Sequence, residues 1–81
     1  MDFEQALAGC GDNAGRLDAL ACSVAAELDR AYAQGDSDMC AALHYRFTRL
    51  CEYAREHLSP ADYHLFYKKL DARKGDRFPL L

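Results

Sequence analysis

Residues 37–74, SDMCAALHYRFTRLCEYAREHLSPADYHLFYKKLDARK, read as two helices meeting at Ser59-Pro60. At 100° per residue, Met39, Leu43, Phe47, Leu50, Ala54 and Leu58 fall within about 100° of arc, a core stripe. Asp36 or Ser37 caps the start, and Asp38 complements the helix dipole. Tyr45, Arg49, Glu52 and Glu56 lie on the other side. Beyond the break, Ser59-Pro60-Ala61-Asp62 places a cap at Ser59, proline at the first helical position and an acid in the first turn. Tyr63, Phe66, Tyr67 and Leu70 then share a face, with Leu65 off it.

The same spacing extends towards the N-terminus. Leu17, Ala21, Val24, Leu28 and Tyr32 form one apolar stripe, which predicts a helix over about 13–34. Asp12 or Asn13 caps it, and Gly35 suits the position just past its end. Cys22 points away from the stripe. Asp2 to Ala8, closed by Gly9 and Gly11, suits one or two helical turns, with Asp2 as cap and Gln5 three residues on. No stretch shows sustained period-two alternation. The expectation is therefore an all-α domain: a small antiparallel helical hairpin or bundle of three main helices, about 13–34, 37–58 and 60–74. A short N-terminal helical turn precedes them. The apolar tail over 76–81, with Phe78, Leu80 and Leu81, needs cover.

Eighty-one residues suffice for one domain, 1–81, with a thin core that buries roughly 60–65% of the unfolded surface. The hydrophobic share of 51% and charged share of 28% are globular values and exclude a disordered tail as a description of the whole. The acidic start, Met1-Asp2-Phe3-Glu4, is unlike the basic start of a signal peptide. The densest apolar run, Leu20–Ala26, is far short of the roughly 20 residues that a bilayer needs. A cytoplasmic location follows as the expectation, with no membrane partner and with Cys10, Cys22, Cys40 and Cys51 as reduced thiols.

Charge is divided along the chain. Residues 1–40 hold eight acids against Arg16 and Arg30, leaving −6, whereas residues 41–81 hold eight bases against five acids, leaving +3. Complementary pairing of the two halves, within or between subunits, accounts for this better than nucleic acid does. The basic set Lys68, Lys69, Arg73, Lys74 and Arg77 contains Asp71 and Asp76, and a basic helix end is ordinary dipole complementation. Direct DNA contact is the alternative reading.

Cys40 and His44 are one turn apart, a spacing that lets two side chains reach one metal. Cys51 lies about 10 Å further along the axis, too far to join them, and no fourth ligand is evident. The same pair has the residue types of a nucleophile and its base, but a regular helix offers no exposing turn and no oxyanion donors. His57 and His64 bracket the Ser-Pro junction, where partial exposure without a special role is the ordinary reading. The expectation is no catalytic site, no metal and no cofactor, with the cysteines as small apolar fillers.

Tyrosine is the most suggestive residue type, at five of 81 with no tryptophan. Tyr and Arg are favoured in binding patches because each joins apolar area to a polar handle. Tyr45, Arg49 and Tyr53 form a ridge facing away from the predicted core. Tyr63, Tyr67, Lys68, Lys69, Arg73 and Phe78 complete the candidate partner-binding set.

Leu58-Ser59-x-x-Asp62-x-x-Leu65-Phe66-Tyr67-x-x-x-Asp71-x-Arg73 resembles the helix motif of the small Hha-type modulators that bind the nucleoid protein H-NS. The resemblance covers 16 of the 81 residues and departs where this chain meets Gly75. It implies bacterial regulation. The residues and the resemblance together lead to one expectation: a bacterial or phage regulatory or adaptor protein, a homodimer that acts by protein–protein binding. Anti-activators, chaperones and mobile-element inhibitors are of this type. The alternative is a transcription modulator that contacts DNA or a nucleoid protein through its basic C-terminal helix.

Overall fold

The structure, a computed structural model, describes the backbone of residues 2–74 and the side chains as far as Ala72. Four helices follow one another: α1 (Phe3–Cys10), α2 (Ala14–Gln34), α3 (Ser37–His57) and α4 (Pro60–Lys74). No strand occurs among the described residues, so the fold is all-α. The tail beyond Lys74, with Phe78, Leu80 and Leu81, lies outside them.

Each helix start follows from a side chain that satisfies an otherwise unpaired backbone N–H. Asp2 accepts from the Gln5 N–H at 2.8 Å while the Gln5 side chain accepts from the Asp2 N–H at 3.2 Å, a complete capping box. Asn13 caps α2 through the Arg16 N–H, Asp36 caps α3 through the Met39 N–H, and the Ser59 hydroxyl accepts from the Asp62 N–H. Between α2 and α3, Gly35 takes the left-handed conformation, φ 69° and ψ 26°. Its N–H bonds to the Tyr32 carbonyl, and the Asp36 N–H reaches back to the Ala31 carbonyl, closing the helix end as a Schellman motif.

The opening segment forms just over two helical turns and ends two residues beyond Ala8. It is a helix of eight residues that runs through Gly9 to Cys10. An isolated helix this short is marginal; what holds it is burial of Leu7 and Cys10 against α2 and α3. The turn comes at Gly11, with φ 57°.

α2 and α3 form the largest helix–helix interface, and α1 and α4 each pack on both. Tyr32 meets His44 and Glu27 meets Arg46, so contacts step down α2 as they step up α3. The core comprises Leu17, Ala21, Val24, Leu28 and Ala31 from α2 and Leu43, Phe47, Leu50, Cys51 and Ala54 from α3. Leu7, Cys10, Leu58, Phe66 and Leu70 complete it.

Two stripe positions leave the core. Tyr32 is 40% exposed and Met39 is 44% exposed, and Ala31 is buried near the first of them. Only Gly35 and Asp36 separate α2 from α3, so the helices converge closely at this end. A small alanine fits the seam there, and the larger side chains turn to the flanks. Tyr63 and Tyr67 are half-buried beside the buried Phe66 and Leu70, while Leu65 and Cys22 are exposed, as the spacing predicted.

Candidate functional surface

The proposed ridge on α3 divides into three different environments. Tyr45 is 63% exposed, the most exposed of the large apolar side chains among the described residues. Arg49 is committed within the molecule. Its Nε–H and Nη2–H donate to the two carboxylate oxygens of Glu4 at 3.3 and 3.0 Å, and Glu52 lies 3.9 Å from Nη1. The Glu4 hydrogen bond holds the Arg49 pKa above its ordinary value. Tyr53 does not face away from the core as the spacing suggested. It is half-buried against the core and stacks on His57, ring centroids 3.8 Å apart. The α1 helix reaches α3 at Arg49, to which it supplies Glu4.

Part of the charge division is thus absorbed inside the fold. Glu4 and Glu27, from the acidic half, meet Arg49 and Arg46 from the basic half, the second pair at 3.3 Å. Arg46 also lies over the Phe3 ring, 5.5 Å from its centroid. These contacts tie α1 and α2 to α3.

On α4, Lys68 and Lys69 are exposed, and the Tyr63 and Tyr67 rings are 6.1 Å apart. Arg73 falls within α4, but its side chain lies outside the described residues, as does Phe78 altogether.

A region that the spacing did not single out lies at the turn between α2 and α3. Tyr32, Gly35, Ser37, Cys40, Ala41 and His44 line a shallow hollow of about 300 Å³. The Tyr32 hydroxyl and His44 Nε2 are hydrogen-bonded at 3.1 Å, and burial lowers the His44 pKa.

The cysteines occupy three environments. Cys10 and Cys51 are buried, Cys40 is half-buried and Cys22 is exposed. Burial pushes the Cys51 thiol up to about 11 and raises that of Cys10 as well. Among the described residues there is no group of three or more His, Cys, Asp or Glu side chains able to hold a metal ion. No helix among them is long and apolar enough to cross a membrane.

Compared with known proteins, the chain matches no family model, no curated protein and no solved structure. The likeness of Leu58–Arg73 to the Hha-type helix motif therefore stays a local one, carried by the capped start of α4 and its apolar face.

Proposed function

We propose that this chain is a small cytoplasmic regulatory or adaptor protein that acts by occupying a surface of another protein, with no catalysis of its own. The observation that supports this best is the outward ridge of α3. Asp38, Ala42, Tyr45, Arg49 and Glu52 follow steps of four and three, so they share one side of the helix. Tyr45 stands at the centre, exposed, with charge at either end. Arg49 is already oriented by Glu4, so a partner that contacts its edge has no side chain to order. Tyrosine beside a fixed guanidinium is a combination enriched at the centres of protein interfaces.

The cysteine chemistry supports the non-enzymatic side of the reading. An activated thiol has a lowered pKa, whereas burial moves Cys51 the opposite way. His44, one helical turn from Cys40, is engaged with Tyr32.

The test is capture from a lysate of the native host with the chain and its Tyr45→Ala variant side by side. An interface anchor of this kind contributes about 2 kcal/mol or more, which is roughly a thirtyfold loss in affinity. A partner retained equally by both would refute the ridge as the contact surface. Exposed Lys68 and Lys69 favour a second reading, contact with DNA directly or beside a nucleoid protein. It requires binding to duplex DNA that weakens steeply with salt and with Lys68→Ala and Lys69→Ala; no binding at low salt removes it.

A further inference from the structure

Only Leu58 and Ser59 separate α4 from the end of α3. The first turns of α4 pack beside the start of α2, where Asp62, Leu65, Phe66 and Lys69 line a hollow with Ala14 and Asp18. Further on, Leu70 is buried in the core and the Asp71 carboxylate acts on the Cys51 thiol. Cys51 lies six residues before the end of α3, so α4 climbs α3 towards the α2–α3 turn. Ahead of it, on the flank of Cys51, lie His44 and then Cys40, about 10 and 16 Å further along the axis at 1.5 Å per residue. The chain after α4 reads Gly75-Asp76-Arg77-Phe78-Pro79-Leu80-Leu81, with four apolar residues at its end. Gly75 and Pro79 both oppose continuation of a helix. At about 3.3 Å per extended residue, Phe78 has a reach of about 13 Å from Lys74, enough for His44, and Leu80 about 20 Å, enough for Cys40.

His44 and Cys40 are also the residues that, with Tyr32, Gly35, Ser37 and Ala41, line the recess of about 300 Å³. No Asp, Glu, Lys or Arg is among the described residues that line it, so its chemistry suits an apolar occupant. The Tyr32 and His44 rings, 6.4 Å apart and tilted by 43°, offer a third ring offset or edge-on contacts of the kind aromatic groups favour. We infer that the recess is the seat of this chain's own tail, with the Phe78 ring against Tyr32 and His44 and Leu80 over Cys40 and Ala41. A segment tethered a few residues away acts at an effective concentration on the order of millimolar, so the tail fills the recess ahead of a free partner. Docked in this way, the tail straps the end of α4 to the α2–α3 turn and takes Phe78 and Leu80 out of water. Tyr45 is not among the residues that line the recess, so tail docking and binding at the ridge are independent.

The test is the rate at which a thiol reagent labels Cys40 in the full chain, with exposed Cys22 and buried Cys51 as internal references. The expected result is a Cys40 protected relative to Cys22, and labelled about tenfold faster or more in Phe78→Ala, as loss of a buried ring implies. Cys22 and Cys51 should keep their rates, and far-ultraviolet circular dichroism should show the same helix content. Equal Cys40 rates in the two proteins would overturn the inference. So would a Cys51 that speeds up alongside Cys40, since the variant would then have loosened as a whole. Position is read from Leu80→Cys in a Cys22→Ser background under mild oxidant, which keeps Phe78 in place. Peptide mapping should find residue 80 joined to Cys40 of the same chain at every protein concentration. No link, or a link to Cys40 of another chain, which would seat a second copy in the recess, would each overturn the inference.

Discussion

Raising the pH across the range in which cysteine ionises should destabilise this protein through Cys51 in particular. Cys51 is only 2% exposed, packed in the centre of α3, and burial moves its pKa from the ordinary 9.0 to about 11. The unfolded chain therefore releases this proton more readily than the folded one. Stability that is fully present below about pH 9 is lost as pH rises towards 11 and beyond. At about pH 10 the unfolded thiol is some ten parts in eleven ionised and the folded one about one part in eleven, which costs about 1.4 kcal/mol. For a domain of this size, with a total stability on the order of 5–10 kcal/mol, that is a measurable fraction. Alkaline pH acts on the protein as a whole, so the quantity to measure is a difference. Urea unfolding at neutral pH and near pH 10 is compared for the protein and for Cys51→Ala. The variant is weaker at neutral pH because of the small cavity it leaves, but its further loss on alkalinisation should be smaller by about 1.4 kcal/mol. Equal alkaline losses in the two proteins would refute the reasoning. The same burial orders the thiols kinetically, with exposed Cys22 modified first and Cys51 last.

The bidentate Arg49–Glu4 contact ties α1 to α3, and a double-mutant cycle with Arg49→Ala and Glu4→Ala should give a coupling of about 0.5–1 kcal/mol, reduced in high salt. Additive single effects would show that the ion pair does not help to hold α1 in place. Phe47 is fully buried at the centre of the core, so Phe47→Ala should cost about 3–5 kcal/mol in chemical unfolding. Leu65→Ala, at an exposed site of equal hydrophobic appearance in the sequence, should change monomer stability by less than about 0.5 kcal/mol.

The recess at the turn between α2 and α3 shows why surface is harder to read than core. Tyr32 and Met39 both fit an apolar helical stripe, and nothing in their own spacing separates them from Leu28 or Leu43. Both lie where α2 and α3 converge at a two-residue turn, and their side chains turn to the flanks of the seam. Arg49 shows the opposite error. Its position on the polar side of α3 is correctly placed by periodicity, yet its partner Glu4 is 45 residues away and belongs to a segment whose helical length alone would not sustain it. Tyr53 is half-buried for a related reason, since it packs against the core and under the His57 ring.

What the sequence determined by itself was local. Asp2, Asn13, Asp36 and Ser59 terminate unpaired N–H groups, Gly35 and Gly11 supply the positive φ that the turns require, and apolar residues at three- and four-residue steps define the helices between them. These interactions span only a few residues, so their partners are legible from neighbouring positions. Which stripe residues are buried, which charges are paired within the molecule and which aromatic groups stay outside were decided by the tertiary structure. Each depends on where a helix distant in sequence ends or crosses. Tyr32 and Leu28 differ by four positions in one stripe, and only the reach of the neighbouring helices separates the exposed residue from the buried one.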